Sequence, residues 1–258
     1  MDQNKLNKAI EFHKVHNFNS ARSLYEEIIS EDDSNYLPFF FLGALELDLQ
    51  NYQGAIKYLK LSLEKNANNF HTYLNLGTAY YELKDYENCK KYYEYGTKID
   101  QNNQLLQNLA TVYKDTGDID KAISLYKKIY NNNPDDLKAA YWLHNLKILT
   151  LDKDLKKKIK LILKNKNASY TNKLFGNMLL SKYANKASLY KDELKFILNF
   201  HDVVHEHNKN HFETKKNFIF NDLKNIKQYY DKSIKINGNE KIRNKLEPIF
   251  IISHPRTG

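Results

Sequence analysis

The first half of the sequence repeats with a period of about 34 residues, and this feature constrains the fold more than any other. Small residues recur at spacings of 34, 34 and 33, at Ala21, Ala55, Cys89 and Ala122. Large residues keep constant positions around them, namely Phe18, Tyr52, Tyr86 and Ile119 three residues earlier and Tyr25, Leu59, Tyr93 and Tyr126 four residues later. A period of this length indicates stacked helical units, each of which contacts only its neighbours.

A second set of positions predicts two helices in each unit. Twelve residues before the small position stands another small residue that follows a leucine, at Gly43, Gly77 and Ala110. Short polar turns lie between the two sets, at Asn17, Gln50-Asn51, Lys84-Asp85 and Gly117-Asp118. Such residues end one helix and cap the next through their side-chain oxygens. The pattern therefore predicts helical hairpins that cross closely at the small residues.

This register resembles the tetratricopeptide repeat (TPR). The resemblance covers residues 1–136 and implies a superhelix of about four hairpins, an α-solenoid, whose groove binds a protein or peptide partner. The first unit lacks the leucine-glycine pair and is polar at Lys8. A terminal repeat with one face in water is expected to depart from the pattern in this way.

The pattern of residues 137–245 predicts a helical connector with capping helices. The stretch from Leu137 to Leu149 is amphipathic and begins a fifth helical pair. Further helices are expected at residues 154–163, 173–183, 189–207 and 217–230. The segment Asn237-Gly238-Asn239 is a strong helix breaker before the last part of the chain.

Residues 246–258 combine a strand pattern with a turn suited to phosphate. Four apolar residues, 249–252, include three that are β-branched, which favours a buried strand. Pro255, Arg256, Thr257 and Gly258 then provide a turn, a permanent cation, a hydroxyl group and a residue without Cβ. Those parts allow backbone N–H groups to surround an anion.

This ending resembles the start of the sulfotransferase domain that uses 3′-phosphoadenosine-5′-phosphosulfate (PAPS). In one branch of that family a strand leads into a loop of the form P-R-S-G-T-T-L. Pro255, Arg256 and Gly258 match this loop, Thr257 replaces its serine, and His254 departs from the small or apolar residue usual there. The resemblance implies a mostly α protein that ends in the first strand and P-loop-like turn of a truncated α/β domain. It also implies that residues 255–258 bind PAPS, with Arg256 on the phosphosulfate.

The family transfers a sulfuryl group to a hydroxyl acceptor, often a protein tyrosine or a carbohydrate. Its catalytic base and its contacts to the 3′-phosphate would follow Gly258, so no catalytic residue is assigned and the 258-residue chain is expected to be inactive. Two alternatives stay open. One is a non-catalytic TPR scaffold that binds partner peptides in its concave groove. The other is a different P-loop enzyme, such as a kinase, although the sequence lacks G-x-x-x-x-G-K-[ST].

Composition limits the class of protein further. No apolar stretch approaches the eighteen or so residues of a membrane span, and Met1 is followed by polar residues, so we expect a cytoplasmic protein without membrane contact. Residues 1–150 carry 17 basic and 20 acidic side chains, whereas residues 151–258 carry 23 and 11, a net charge of +12. The basic half would attract a polyanionic cofactor or an acidic substrate, or it is only a solvated lysine-rich surface. No nucleic-acid partner is expected, because aromatic residues do not interleave with the basic ones.

Cysteine and histidine can react or bind metal ions, but their positions in this sequence support neither role. Cys89 occupies a small crossing position, so it is expected to pack and not to react. His201, His205, His207 and His211 include two i, i+4 pairs, but the pairs do not share one helix face and no cysteine lies nearby. We therefore predict no metal site.

Overall fold

The computed structural model describes residues 2–207, and these form α-helices without a β-strand among them. The predicted strand 249–252, the loop 255–258, the helix 217–230 and the breaker at 237–239 lie outside the described residues. The helices of the described range are α1 Gln3–Lys14, α2 Phe18–Glu31, α3 Tyr36–Asp48, α4 Tyr52–Lys65, α5 Phe70–Glu82, α6 Tyr86–Ile99, α7 Asn103–Asp115, α8 Ile119–Asn132, α9 Leu137–Asn145, α10 Lys153–Lys164, α11 Tyr170–Lys186 and α12 Tyr190–His207.

The chain divides into two compact units, residues 1–150 and residues from 151 onward. The repeat pattern alone placed a boundary after residue 136. The first unit extends beyond it because α9 packs on α8, and Ala139 and Leu143 join the same hydrophobic core as the preceding repeats. The expected connector is thus split, with its first helix in the repeat array.

The first unit is a stack of helical hairpins. We call the first helix of each hairpin (α1, α3, α5, α7) an A helix and the second (α2, α4, α6, α8) a B helix, and α9 follows as a further A helix. Each helix packs mainly on the one before and the one after it, and A helices of successive hairpins also touch, as α1 does α3 and α3 does α5. This nearest-neighbour arrangement is that of an α-solenoid.

Each predicted turn reverses the chain at one residue in the left-handed backbone region. These residues are His16, Gln50, Lys84 and Gly117, with φ between 59° and 84°. At the second turn the N–H of Asn51 donates to the carbonyl of Glu46 at 2.8 Å, which satisfies a free carbonyl of the A helix. The Asn51 side chain then accepts from the N–H of Gly54 and caps the B helix. The turn residues therefore end one helix and begin the next, as the sequence predicts, but the predicted side-chain cap is absent at Asp118, which makes no capping hydrogen bond to α8.

Close approach of the two helices explains the small residues. A Cβ atom on Gly77 would lie 2.3 Å from Cε1 of Tyr93, and one on Gly43 would lie 2.5 Å from Cγ of Leu59. Such distances would force the partner side chain to move, so these two crossings favour glycine, whereas the equivalent crossing of the fourth hairpin accommodates Ala110. The predicted TPR register is confirmed at this level of detail.

The second unit contains α10, α11 and α12 in its described part. Helices α11 and α12 form a long antiparallel pair, and α10 packs on α11 through the buried side chains of Leu155 and Ile159. All three helices were predicted, with ends that differ by at most three residues. The Glu193 carboxylate is 1% exposed and accepts from the Asn185 amide at 2.9 Å, so this buried charge is hydrogen-bonded.

Candidate partner-binding face

The A helices of the first unit keep one strip of side chains that the core does not cover. The strip residues recur at helical spacing and are half-buried or exposed. We call this surface the A-helix strip, and its members are Leu37, Phe40, Phe41, Ala44 and Leu47 on α3, His71, Asn75, Thr78 and Tyr81 on α5, Gln104, Gln107, Asn108, Thr111 and Lys114 on α7, and Lys138 and Trp142 on α9.

Contacts between neighbouring A helices make the strip continuous. The rings of Phe40 and His71 lie 6.5 Å apart, which joins α3 to α5. The Tyr81 hydroxyl donates to Oδ2 of Asp115 at 2.8 Å, which joins α5 to α7. The Lys114 ammonium lies 4.6 Å above the Trp142 ring, a cation–π contact that joins α7 to α9. Four helices therefore contribute to one surface.

The end of the strip on α3 is apolar and aromatic. Phe41 stacks on the fully buried Tyr25 with ring centroids 5.8 Å apart, so its orientation is fixed from below. Phe40 packs edge-on against Phe41 at 5.3 Å. With Leu47 about two turns further along α3, this end offers a preformed site for an apolar side chain.

The middle of the strip carries hydroxyl and amide groups held by a repeated hydrogen-bond pattern. Thr78 donates to the carbonyl of Leu74, so the Tyr93 hydroxyl donates to Thr78 at 3.1 Å and accepts from the Asn108 amide at 3.4 Å. Thr111 and Tyr126 form the same pair in the next hairpin at 3.3 Å. Burial raises the pKa of Tyr126 to about 12 and also raises the pKa of Tyr93, so both hydroxyls stay protonated at neutral pH.

The remaining end of the strip contains the charged groups. Lys114 pairs with Asp115, and burial and then the Asp115 acceptor raise the pKa of Tyr81. Burial also lowers the pKa of Lys138 on α9. The Trp142 indole N–H is buried and has no acceptor within the described residues. Apart from Lys114 and Lys138, whose charges lie at this end, the strip carries amides, hydroxyls, apolar groups and one histidine.

The structure does not test the predicted PAPS site, because residues 255–258 lie outside the described residues. Cys89 is buried, and burial raises the pKa of its thiol to about 12, which confirms a packing role. His201, His205 and His207 lie on α12, and His211 lies beyond the described range. Residues 2–207 contain no group of three side chains arranged to hold a metal ion. Within the same range, no helix has the length and apolar character of a membrane span.

Sequence reasoning missed the strip residues, although the repeat period carries a signal for them. Thr78 and Thr111 directly follow the small residues of their A helices, Gly77 and Ala110. Asn75 and Asn108 stand two residues before those small residues, and the members of each pair are 33 residues apart. Aligning those positions across the hairpins would have identified one face. The contrast between the apolar α3 and the polar α7 would also have been visible in that alignment.

Comparison with known protein families supports the repeat assignment. Residues 46–113 match one tetratricopeptide repeat family, and residues 104–136 match a second with the same description. No curated protein matches the sequence. The chain therefore contains tetratricopeptide repeats, which the matched residues place in the first unit.

Solved structures agree with this fold. A structure described as the functional characterization of Pseudomonas aeruginosa pilF is similar over 78% of this chain and 96% of its own, with 16% identity and a TM-score of 0.57. A crystal structure of MamA is similar over 73% of this chain and 98% of its own, with 20% identity and a TM-score of 0.50. At these identities the likeness establishes the helical-repeat architecture alone.

Proposed function

We propose that this protein is a scaffold that binds a partner peptide along the A-helix strip. The observation that carries the proposal is the continuity of that strip across α3, α5, α7 and α9, with partly exposed side chains held in place from below. A surface with fixed side chains loses little conformational freedom when a partner binds. The scaffold would act in the cytoplasm, as the sequence analysis predicts.

The two ends of the strip define how a peptide would bind. An apolar or aromatic side chain of the partner would pack on Phe40, Phe41 and Leu47, where burial of a large side chain contributes about 1.5–3 kcal/mol. Asn75 and Asn108 would contact the peptide backbone, because a side-chain amide offers both a donor and an acceptor. The partner would therefore bind in an extended form with its apolar residue at the α3 end.

Selection from a displayed random peptide library, followed by fluorescence anisotropy with the selected peptides, tests this function. We expect Phe40→Ala and Asn75→Ala each to weaken binding, with the larger loss, at least tenfold, for Phe40→Ala. Lys127→Ala is the matched control, since Lys127 is exposed on the B helix α8 and away from the strip. Equal affinity of the Phe40→Ala protein and the unmodified chain for every selected peptide would refute the proposal.

A second candidate function, PAPS-dependent sulfuryl transfer, rests on the sequence of residues 248–258. In that case Pro255, Arg256, Thr257 and Gly258 would hold the phosphosulfate, and Arg256 would give it a bidentate, charge-assisted contact. The hydroxyl acceptor would then be a protein or carbohydrate, and a partner bound to the strip would present it.

Transfer from labelled PAPS by the protein encoded by the natural reading frame tests the second candidate. Loss of a contact to the leaving phosphate costs on the order of a hundredfold or more in rate, so Arg256→Ala should remove most of the activity. Full activity of the Arg256→Ala protein would exclude this role for the loop. Lys215→Ala is the control, because replacing a lysine outside the loop should leave the rate of transfer unchanged.

A further inference from the structure

Helix α10 carries a row of lysines along one exposed face. Lys153, Lys157, Lys160 and Lys164 are all exposed and fall within an arc of about 60°, since successive residues of a helix advance by about 100°. We call this set the α10 lysine row. Among the described residues, Asp154 is the one carboxylate paired with it, 3.8 Å from Lys157. That pair is more than 80% exposed on both sides and neutralises little of the charge.

An apolar side chain lies beside this row. Leu161 is 71% exposed, although Leu155 and Ile159 of the same helix are buried against α11. Lys156 borders the row on its other side, and its ammonium lies 4.1 Å from the centroid of the Tyr183 ring. The exposed face of α10 thus combines a lysine row with one accessible leucine.

We propose that this face of α10 is a docking surface for an acidic amphipathic helix of a partner protein. Charge complementarity carries the proposal. Lysines spaced by three and four residues match carboxylates spaced in the same way on a facing helix, and a leucine or methionine of that helix would cover Leu161. This surface belongs to the second unit and is separate from the A-helix strip.

The geometry favours a protein partner over a lipid surface. A helix that lies in a membrane interface buries its apolar side among the lipids. Leu155 and Ile159 on the apolar side of α10 are already buried against α11, Ile162 and Leu163 are half-buried, and Leu161 is the one exposed apolar residue of this helix. A facing helix needs no more than this one apolar contact and the charges around it.

The test uses the complete 258-residue chain and a labelled synthetic helix of about 18 residues. The probe carries glutamates at positions i, i+4, i+7 and i+11 with one leucine beside them, and a second probe has glutamine in place of every glutamate. Fluorescence anisotropy is measured for the unmodified protein, for Lys157→Glu/Lys160→Glu and for Leu161→Ser. Lys191→Glu/Lys195→Glu is the matched control, because it makes the same charge change at exposed positions of α12 in the same unit.

We expect the glutamate probe to bind and the glutamine probe to bind at least tenfold more weakly. The charge reversal Lys157→Glu/Lys160→Glu should weaken binding at least tenfold, and Leu161→Ser should weaken it about threefold to fivefold. The control variant on α12 should weaken it less than twofold. Circular dichroism establishes that each variant remains folded. An equal loss from the α12 control would overturn the proposal, because it would show attraction to net charge and not to the row.

Two further outcomes would also overturn it. One is binding to vesicles that contain phosphatidylserine, lost in the α10 variants, without binding of the glutamate probe. The other is binding of a 20-base-pair DNA duplex with the same dependence on Lys157 and Lys160 and a higher affinity than the probe. Either result would assign the row to a different class of partner.

Discussion

Removal of one hydroxyl group should have opposite effects at two equivalent tyrosines. Tyr25 and Tyr93 occupy the same position of the first and third B helices, α2 and α6, and both are buried. The Tyr93 hydroxyl is bonded to Thr78 and Asn108, whereas the Tyr25 hydroxyl has no hydrogen-bond partner in the described part of the chain. The two tyrosines differ because the first hairpin has Ile10 where the third has Thr78. The side chain of Ile10 has no group that could hydrogen-bond to the Tyr25 hydroxyl.

The expected magnitudes follow from these contacts. Tyr93→Phe loses two hydrogen bonds, each worth about 0.5–1.5 kcal/mol net, so the free energy of unfolding should fall by about 1–3 kcal/mol. Tyr25→Phe removes a buried polar group that is unsatisfied and should leave stability unchanged or raise it by up to about 1 kcal/mol. Ile10→Thr should restore the missing partner, and a double-mutant cycle with Tyr25→Phe should show a coupling of about 1 kcal/mol.

Urea unfolding followed by circular dichroism measures the stability of each variant. Because repeat arrays also unfold locally, hydrogen exchange of α2 and α6 amides assigns each change to its hairpin. A destabilisation of 1 kcal/mol or more by Tyr25→Phe, together with no effect of Tyr93→Phe, would refute the reasoning. Tyr126→Phe is the internal check, since among the described residues its hydroxyl pairs with Thr111 alone and its removal should cost about half as much as that of the Tyr93 hydroxyl.

Three other predictions concern the first unit. Gly77→Leu should lower the free energy of unfolding by about 3 kcal/mol or more, because even a Cβ meets the Tyr93 ring at 2.3 Å, and an unchanged thermal midpoint would contradict the hairpin register. Gly117→Ala should cost about 1 kcal/mol through backbone strain alone, since φ is 84° and, apart from its chain neighbours, no described residue lies within 4 Å of the new Cβ; Gly54→Ala would measure crowding instead. Raising the pH from about 10 to 12 should lower the stability of the unit: the folded pKa of Tyr126 is raised to about 12 from its ordinary value of 10.0, so its stabilisation is complete below pH 10 and is lost as pH rises towards 12. A flat stability profile up to pH 12 would contradict the last prediction.

The sequence predicted the hairpins because steric requirements at a helix crossing leave few choices. Small residues are needed where Gly43 and Gly77 approach Leu59 and Tyr93, so the period is visible in the residues themselves. The end of α9 was harder to predict from the sequence. The amphipathic pattern extends to Leu149, but the helix ends at Asn145, since Lys147 adopts a φ of 61° and the N–H of Ile148 turns back to the carbonyl of Leu143.

The candidate surfaces were harder to predict for a physical reason. A partner-binding residue on the A-helix strip, such as Asn75, has no packing constraint that would fix its type from sequence alone. The exposure of Leu161 was equally hard to predict, because sequence alone assigns a leucine on an amphipathic helix to the buried side. The phosphate-binding loop at 255–258 was the clearest chemical motif of the sequence, and it stays a prediction.

The stacking of hairpins has a consequence for how the first unit forms. Contacts run mainly between each helix and the next along the chain, and pairs of successive A helices add a few links across a single repeat of about 34 residues. The mean sequence separation of contacting residues, the contact order, is therefore low, and proteins of that kind fold in microseconds to milliseconds. Each hairpin is complete about 34 residues after the previous one, so a chain leaving the ribosome can add folded repeats one at a time. The apolar site on α3 would then exist before α9 has been synthesised, and a partner could bind the growing chain.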